Sequence, residues 1–253
     1  MPIKRLRNGE KIIGTMIRIV RNPAIVLVAQ QAGLDFFMID MEHGSFSYND
    51  LADMCTVAHA AKTGCFVRVP ELSRGHVSRS FDCGANGVMV PMIESVEQAE
   101  LFASWAKYKP LGNRGLGSAG GNTGYSRIQD ASNYMKNANL ETIAIAQIES
   151  VDGVKACDGI AAVNGIDALL VGPFDLSVSL GVPGNFTAPE MNEAIQRVAE
   201  STRKHNKIFG MHAGAPLLET WIPHGMRLIM NSIDIGMISA GMQDVKDWFD
   251  GIS

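Results

Sequence analysis

No apolar run in this chain approaches the ~20 residues of a membrane-spanning helix. Lys and Arg are scattered rather than clustered, and the net charge is −4, so the chain carries no basic footprint for nucleic acid or an anionic membrane. The four cysteines (Cys55, Cys65, Cys83 and Cys157) include no CxxC pair. That spacing excludes zinc-ribbon and dithiol redox motifs and reads as free thiols in a reducing compartment. The apolar stretch 12–20 is broken by Arg18 and lacks a small-residue cleavage site, so it reads as a strand rather than a signal peptide. Asn185-Phe186-Thr187 matches the glycosylation sequon, which has no use without secretion. The expected compartment is the cytoplasm. No linker or low-complexity segment divides the chain, and residues 1–253 read as one domain.

What the chain does have is alternation. Hydrophobic residues make up 46% and charged residues 19%, an ordinary globular composition. Eight short apolar runs rich in Val, Ile, Met and Phe stand at 12–17, 36–40, 65–69, 87–91, 143–148, 168–171, 208–211 and 228–230. Several are apolar throughout, as parallel strands buried on both faces should be. Amphipathic stretches lie between them, some opened by capping boxes, of which Ser95…Gln98 and Thr187…Glu190 are the clearest. The pattern predicts a (β/α)8 barrel, with an open doubly wound sheet as the rival. Segment 110–127 holds six glycines and predicts a functional loop over the barrel mouth or at a subunit contact. Ile-Glu-Ser-Val occurs twice, at 93–96 and 148–151, where Ser caps the following helix in each case.

In a parallel barrel the chemistry stands at the C-terminal ends of the strands. There the chain places Asp40-Met41-Glu42-His43, Arg68-Val69-Pro70, Gln147-Ile148-Glu149 and Gly172-Pro173-Phe174-Asp175. Burying such groups is costly unless they pair or bind something. Two carboxylates from different strands, Glu149 and Asp175, with no companion cysteines or histidines, suit a hard divalent cation, Mg²⁺ or Mn²⁺ rather than structural zinc. The plainer alternatives are a salt-bridged Glu149 and an Asp175 that caps a short helix. His43 is either a base tuned by Asp40 and Glu42 or a structural hydrogen bonder. Arg68 is either a fixed cation for a carboxylate or enolate, or half of an ion pair.

Two motifs mislead. Gly115-Leu-Gly-Ser-Ala-Gly120 spells the dinucleotide string, yet no strand precedes it. An imine-forming aldolase would need a lysine inside the barrel, and none of the ten lysines closes a strand.

Together the segments GLDFFMIDMEH (33–43), VRVP (67–70), DCGANGVMVPM (82–92), RGLGSA (114–119), QIES (147–150) and GIDALLVGPFDLS (165–177) resemble the HpcH/HpaI aldolases, the class II pyruvate aldolases. The resemblance spans nearly the whole chain in family order. It implies a (β/α)8 barrel of the phosphoenolpyruvate/pyruvate type that cleaves a 4-hydroxy-2-oxo acid, such as a 2-keto-3-deoxy sugar acid, reversibly to pyruvate and an aldehyde. It implies Glu149 and Asp175 as ligands of Mg²⁺ or Mn²⁺, with Co²⁺ a third candidate, and Arg68 as the cation at the enolate oxygen. His43 matches the acid/base, supported by an aspartate matching Asp82. Asp40 and Gln147 match further polar site positions, and backbone amides near Phe174 help hold pyruvate. A homo-oligomer is implied, a hexamer by family habit. The chain departs from its relatives at Arg18, where small or apolar residues are common, and at His212, where an apolar residue often lines the aldehyde pocket. Both would suit a polar or anionic aldehyde. The competing functions are a lyase acting on a CoA thioester, an oxaloacetate decarboxylase, and a non-catalytic barrel.

Overall fold

The computed structural model describes residues 2–252. Eight parallel strands close into a barrel in sequence order: β1 (Ile12–Ile17), β2 (Phe36–Asp40), β3 (Gly64–Arg68), β4 (Gly87–Val90), β5 (Ile143–Ile148), β6 (Ala168–Val171), β7 (Ile208–His212) and β8 (Met226–Ile233). Pairing of β1 with β8 excludes the open sheet. The helices are α1 (Pro2–Arg7), α2 (Ile25–Gln31), α3 (Tyr48–Ala61), α4 (Arg74–Asp82), α5 (Val96–Ala106), α6 (Ala131–Glu141), α7 (Val151–Ala162), α8 (Pro173–Ser179), α9 (Pro189–Lys204), α10 (Ala215–Trp221) and α11 (Asp234–Ile252). The chain is a (β/α)8 barrel. Among the described residues, no helix is long and apolar enough to cross a membrane.

Strand side chains alternate between two cores. Ile39, Val67, Val88, Ile148 and Val171 point outward and pack under the helices. Met16, Met38, Phe66, Met89, Ile145, Leu170 and Met230 point inward and fill the barrel. The short α1 seals the end where the strands begin. Its Ile3 and Leu6 join the interior cluster, and Arg7 donates to the carbonyls of Leu140 and Thr142.

Two local expectations change. Ser95 does cap α5, accepting from the Gln98 amide at 3.2 Å. Thr187 caps nothing: α9 opens at Pro189, which has no amide hydrogen to offer, and Thr187 donates to Asn185 instead. The glycine-rich segment does not cover the mouth. It follows α5, which runs back from the mouth, and Gly121 packs against the Cys83 carbonyl while Arg114 meets Asp82 at 2.6 Å.

The last helix is unlike the others. Beyond Asp234 every described residue of α11 is exposed. Ile238, Met242, Val245, Phe249 and Ile252 recur at helical spacing and form an apolar stripe. On the barrel, Ile13 of β1 is 50% exposed, and Leu27 and Val28 of α2 are exposed as well.

Candidate active site

Following the inward positions up each strand leads to polar residues. Two residues beyond Met16 stands Arg18, beyond Met38 Asp40, beyond Phe66 Arg68, beyond Ile145 Gln147, beyond Gly210 His212 and beyond Met230 Ser232. The period of two that builds the apolar interior therefore ends in a polar layer at the mouth. A cavity of about 460 Å³ opens over this layer, lined among others by Arg18, His43, Arg68, Gln147, Gly172, Phe174, Asp175 and His212.

Asp40 organises the layer. It is fully buried, and strand register sets it beside Arg68. Arg68 grips it with both arms of the guanidinium, Nε to Oδ1 at 2.9 Å and Nη2 to Oδ2 at 2.7 Å, the bidentate geometry that favours arginine over lysine. Arg18 Nε donates to Oδ2 at 2.7 Å, and the amides of Glu42 and His43 reach Oδ1. Burial pushes the Asp40 carboxyl up, but Arg68, the His43 amide and Arg18 outweigh it and hold it below the ordinary value. With every lone-pair direction occupied by Arg68, Arg18 and two amides, Asp40 holds its neighbours in place. Gly44 keeps the turn after His43 tight, since a Cβ there would run into the Asp40 carbonyl oxygen.

His43 is half-exposed at the rim, with Nε2 3.9 Å from Glu42 Oε2. Glu42 itself lies 2.9 Å from Arg68 Nη1, at an angle that leaves its buried Oε2 without a hydrogen bond.

Among the described residues Glu149 has no ion-pair partner, which leaves the salt-bridge alternative without support. It accepts from the Met92 amide at 2.9 Å and from Gln147 Nε2. Burial pushes its carboxyl up to about 7, aided by the charges of Asp175 and Glu42 and opposed by the Met92 amide and Arg68. Met92 adopts φ 52°, a left-handed conformation that costs a non-glycine residue energy and aims its amide at Glu149. Asp175 is the third residue of α8, whose cap is Gly172, so the capping alternative also fails. Above Glu149 the wall is Gly172, where a Cβ would strike Glu149 Oε2 and come within 2.7 Å of Gln147 Nε2. Gln147 Oε1 is buried with no hydrogen bond. Among the described residues no group of three His, Cys, Asp or Glu side chains converges on one point. Two carboxylates beneath a glycine cradle, beside an unpartnered amide oxygen, nevertheless fit a hard divalent cation that takes its other oxygens from substrate and water.

Asp82 is not brought to this mouth. It ends α4, near the start of β4, 49% exposed and paired with Arg114. His212 does reach the cavity, with Nε2 2.9 Å from the Ser232 carbonyl, which also accepts from Thr15. Ser232 holds that carbonyl in place at φ 65°. Burial lowers the His212 pKa, and the nearby charges of Arg68 and Arg18 lower it further. The sequence marks Glu42 and Gly172 at strand ends but assigns no site role to Met92 or Ser232. The inward period of two finds Ser232; only contacts in space find Met92.

Residues 19–235 match the HpcH/HpaI aldolase/citrate lyase family. The chain belongs to that family. It is similar to a hydroxypyruvate/pyruvate aldolase of Roseobacter denitrificans, 28% identical over 98% of this chain and 96% of that one. A 5-keto-4-deoxy-D-glucarate aldolase of Klebsiella pneumoniae is 30% identical over 90% and 88%. The crystal structure of an HpcH/HpaI aldolase from Desulfitobacterium hafniense superposes with a TM-score of 0.92 at 31% identity, covering 97% and 95%. In parallel barrels of this architecture the chemistry stands at the mouth. A second cavity of about 580 Å³, lined by His59, Arg114 and Tyr134, lies at the other end, away from the strand-end acids.

Proposed function

We propose that the protein is a divalent-metal-dependent aldolase that reversibly cleaves a 4-hydroxy-2-oxo acid to pyruvate and an aldehyde. The observation that carries this reading is the buried Glu149, which has no cationic partner and sits beneath Gly172 with Asp175 close enough to raise its pKa. The named activities of the relatives, both aldolases, support it.

Glu149 and Asp175 would hold Mg²⁺, Mn²⁺ or Co²⁺. When bound, the cation acts as a Lewis acid toward the 2-oxo group. The chain's own residues do the rest. The amides at the first turn of α8, around Phe174, have no partner inside the helix and face the substrate carboxylate. Gln147 offers its free Oε1 beside them. Arg68, fixed by Asp40, supplies positive charge where the 2-oxo oxygen turns negative. His43 takes the proton of the C4 hydroxyl, the C3–C4 bond breaks, and the aldehyde leaves. The electron pair moves onto the pyruvate fragment, and C3 is then protonated.

Homo-oligomeric assembly belongs to the same reading. The apolar stripe of α11 and the exposed Ile13, Leu27 and Val28 are apolar surface that a second copy could cover, and each large side chain so buried contributes about 1.5–3 kcal/mol. Sedimentation velocity should show an oligomer, a hexamer by family habit, that Met242→Glu with Phe249→Glu dissociates. The four free cysteines suit a reducing cytoplasm.

Pyruvate methyl exchange in deuterated water, followed by NMR with Mg²⁺ or Mn²⁺, tests the function. We expect exchange that EDTA abolishes. No exchange with any divalent ion would overturn the reading.

A further inference from the structure

We propose that Arg18 recognises a carboxylate at the far end of the substrate, so that the aldehyde released is anionic. This rests on the aldolase reading above. Arg68 is committed along its whole length: Nε and Nη2 to Asp40, Nη1 beside Glu42. Arg18 is not. Only its Nε is used, at 2.7 Å from Asp40 Oδ2, and neither Nη makes a hydrogen bond among the described residues. The side chain is 26% exposed and lines the mouth cavity. A guanidinium tethered by one nitrogen and open at its other two presents a fork for a planar anion.

The backbone beneath it is held as firmly. Asp234, buried at the start of α11, accepts from the amides of Arg18 at 2.9 Å, Ile19 at 2.9 Å and Val20 at 2.8 Å. Arg18 is thus fixed from both sides before any ligand arrives, which lowers the ordering cost of binding. The contact with Asp40 uses Nε alone, so a purely structural role leaves both Nη groups at the cavity unexplained.

The neighbouring His212 plays a different part from the one its charge suggests. Its Nε2 donates to the Ser232 carbonyl, and in the neutral ring, which burial favours, Nδ1 is left as an acceptor for a hydroxyl. From His212, Pro173, Phe174 and Ile233 the mouth cavity continues into a larger groove of about 970 Å³ that also holds Asn185 and Asn231. The preferred substrate therefore has a 2-oxo acid head and a polar chain ending in a carboxylate.

Isothermal titration in the presence of Mg²⁺ tests this with two uncleavable ligands of equal length, 2-oxoglutarate and 2-oxopentanoate. The wild type should bind 2-oxoglutarate about ten- to a hundredfold more tightly, the range of one charge-assisted contact. Arg18→Ala should reduce that preference to threefold or less on the order set by the same contact, and Arg18→Lys should restore part of it. Equal binding of the two ligands by the wild type, or a preference that survives in Arg18→Ala, would overturn the assignment. Failure of pyruvate itself to bind with Mg²⁺ would instead overturn the aldolase reading.

Discussion

At the base of the barrel Lys107 is enclosed on all sides, and its Nζ meets Asp167 at 2.7 Å and the Thr142 carbonyl at 2.9 Å. Asp167 in turn takes the Ala144 amide and Arg7. At the mouth Glu149 is equally enclosed and meets no cation, while Gln147 Oε1 and Glu42 Oε2 are buried with no hydrogen bond. Both ends bury charge, and toward the base Tyr108 Oη and Arg114 Nε also lack a hydrogen bond, but the buried carboxylate without an ion-pair partner among the described residues stands at the mouth. A satisfied buried charge is part of the architecture, whereas an unsatisfied one is a seat for something that arrives later.

The contrast can be broken by substitution. The largest expected effect is that of Glu149→Gln: aldol cleavage should fall by about a hundred- to a thousandfold, and the thermal stabilisation that Mg²⁺ gives the wild type should vanish. Without metal the variant should be at least as stable as the wild type, because the charge it removes has no partner. Differential scanning calorimetry with and without Mg²⁺ reads both; a metal-free variant clearly less stable than wild type would contradict the comparison.

Asp40→Asn tests the one mouth carboxylate that is fully satisfied. It strands Arg68 and should cost about 3–5 kcal/mol in denaturant unfolding. The wild-type pH profile carries the same information. Because the folded Asp40 lies below its ordinary 3.8, its share of stability is intact above that pH and drains away as the pH falls through the folded value. Acid sensitivity in this range that persists unchanged in Asp40→Asn would count against the assignment.

Lys107→Met should lose about 3 kcal/mol, the low end for a broken buried pair since Asp167 keeps Arg7. Its kcat/KM per folded molecule should stay within about twofold, as the base is far from the chemistry. A tenfold fall in kcat/KM would show that the two ends are coupled.

Much of this was legible in the amino-acid order. Strands β1, β2, β5 and β6 fall where their apolar runs predict, because strands buried on both faces write themselves as unbroken Val, Ile and Met. Strand β8 is longer than its run, since it continues into polar Asn231 and Ser232 past an irregularity in its pairing with β1. The strand-end acids and Arg68 were legible because each ends an apolar run. Within the chain Asp82 stands apart from His43, a separation the sequence hid because a motif says what precedes a strand, not at which end of the barrel that point lies. The sharing of Asp40 by two arginines was hidden for another reason: Arg18 and Arg68 stand 22 and 28 residues from it, and only the pairing of β2 with β1 and β3 brings them together.

The plug formed by α1 turns the barrel into a vessel with its floor in place. Whatever enters must come out past what settled after it. On the proposed reading the pyruvate half would lie deeper and the aldehyde half nearer the opening, so departure would be ordered: aldehyde first, pyruvate second. Product inhibition records such an order, with pyruvate competing against the cleaved acid and the aldehyde giving a mixed pattern; the reverse assignment would mean that the two halves lie the other way up.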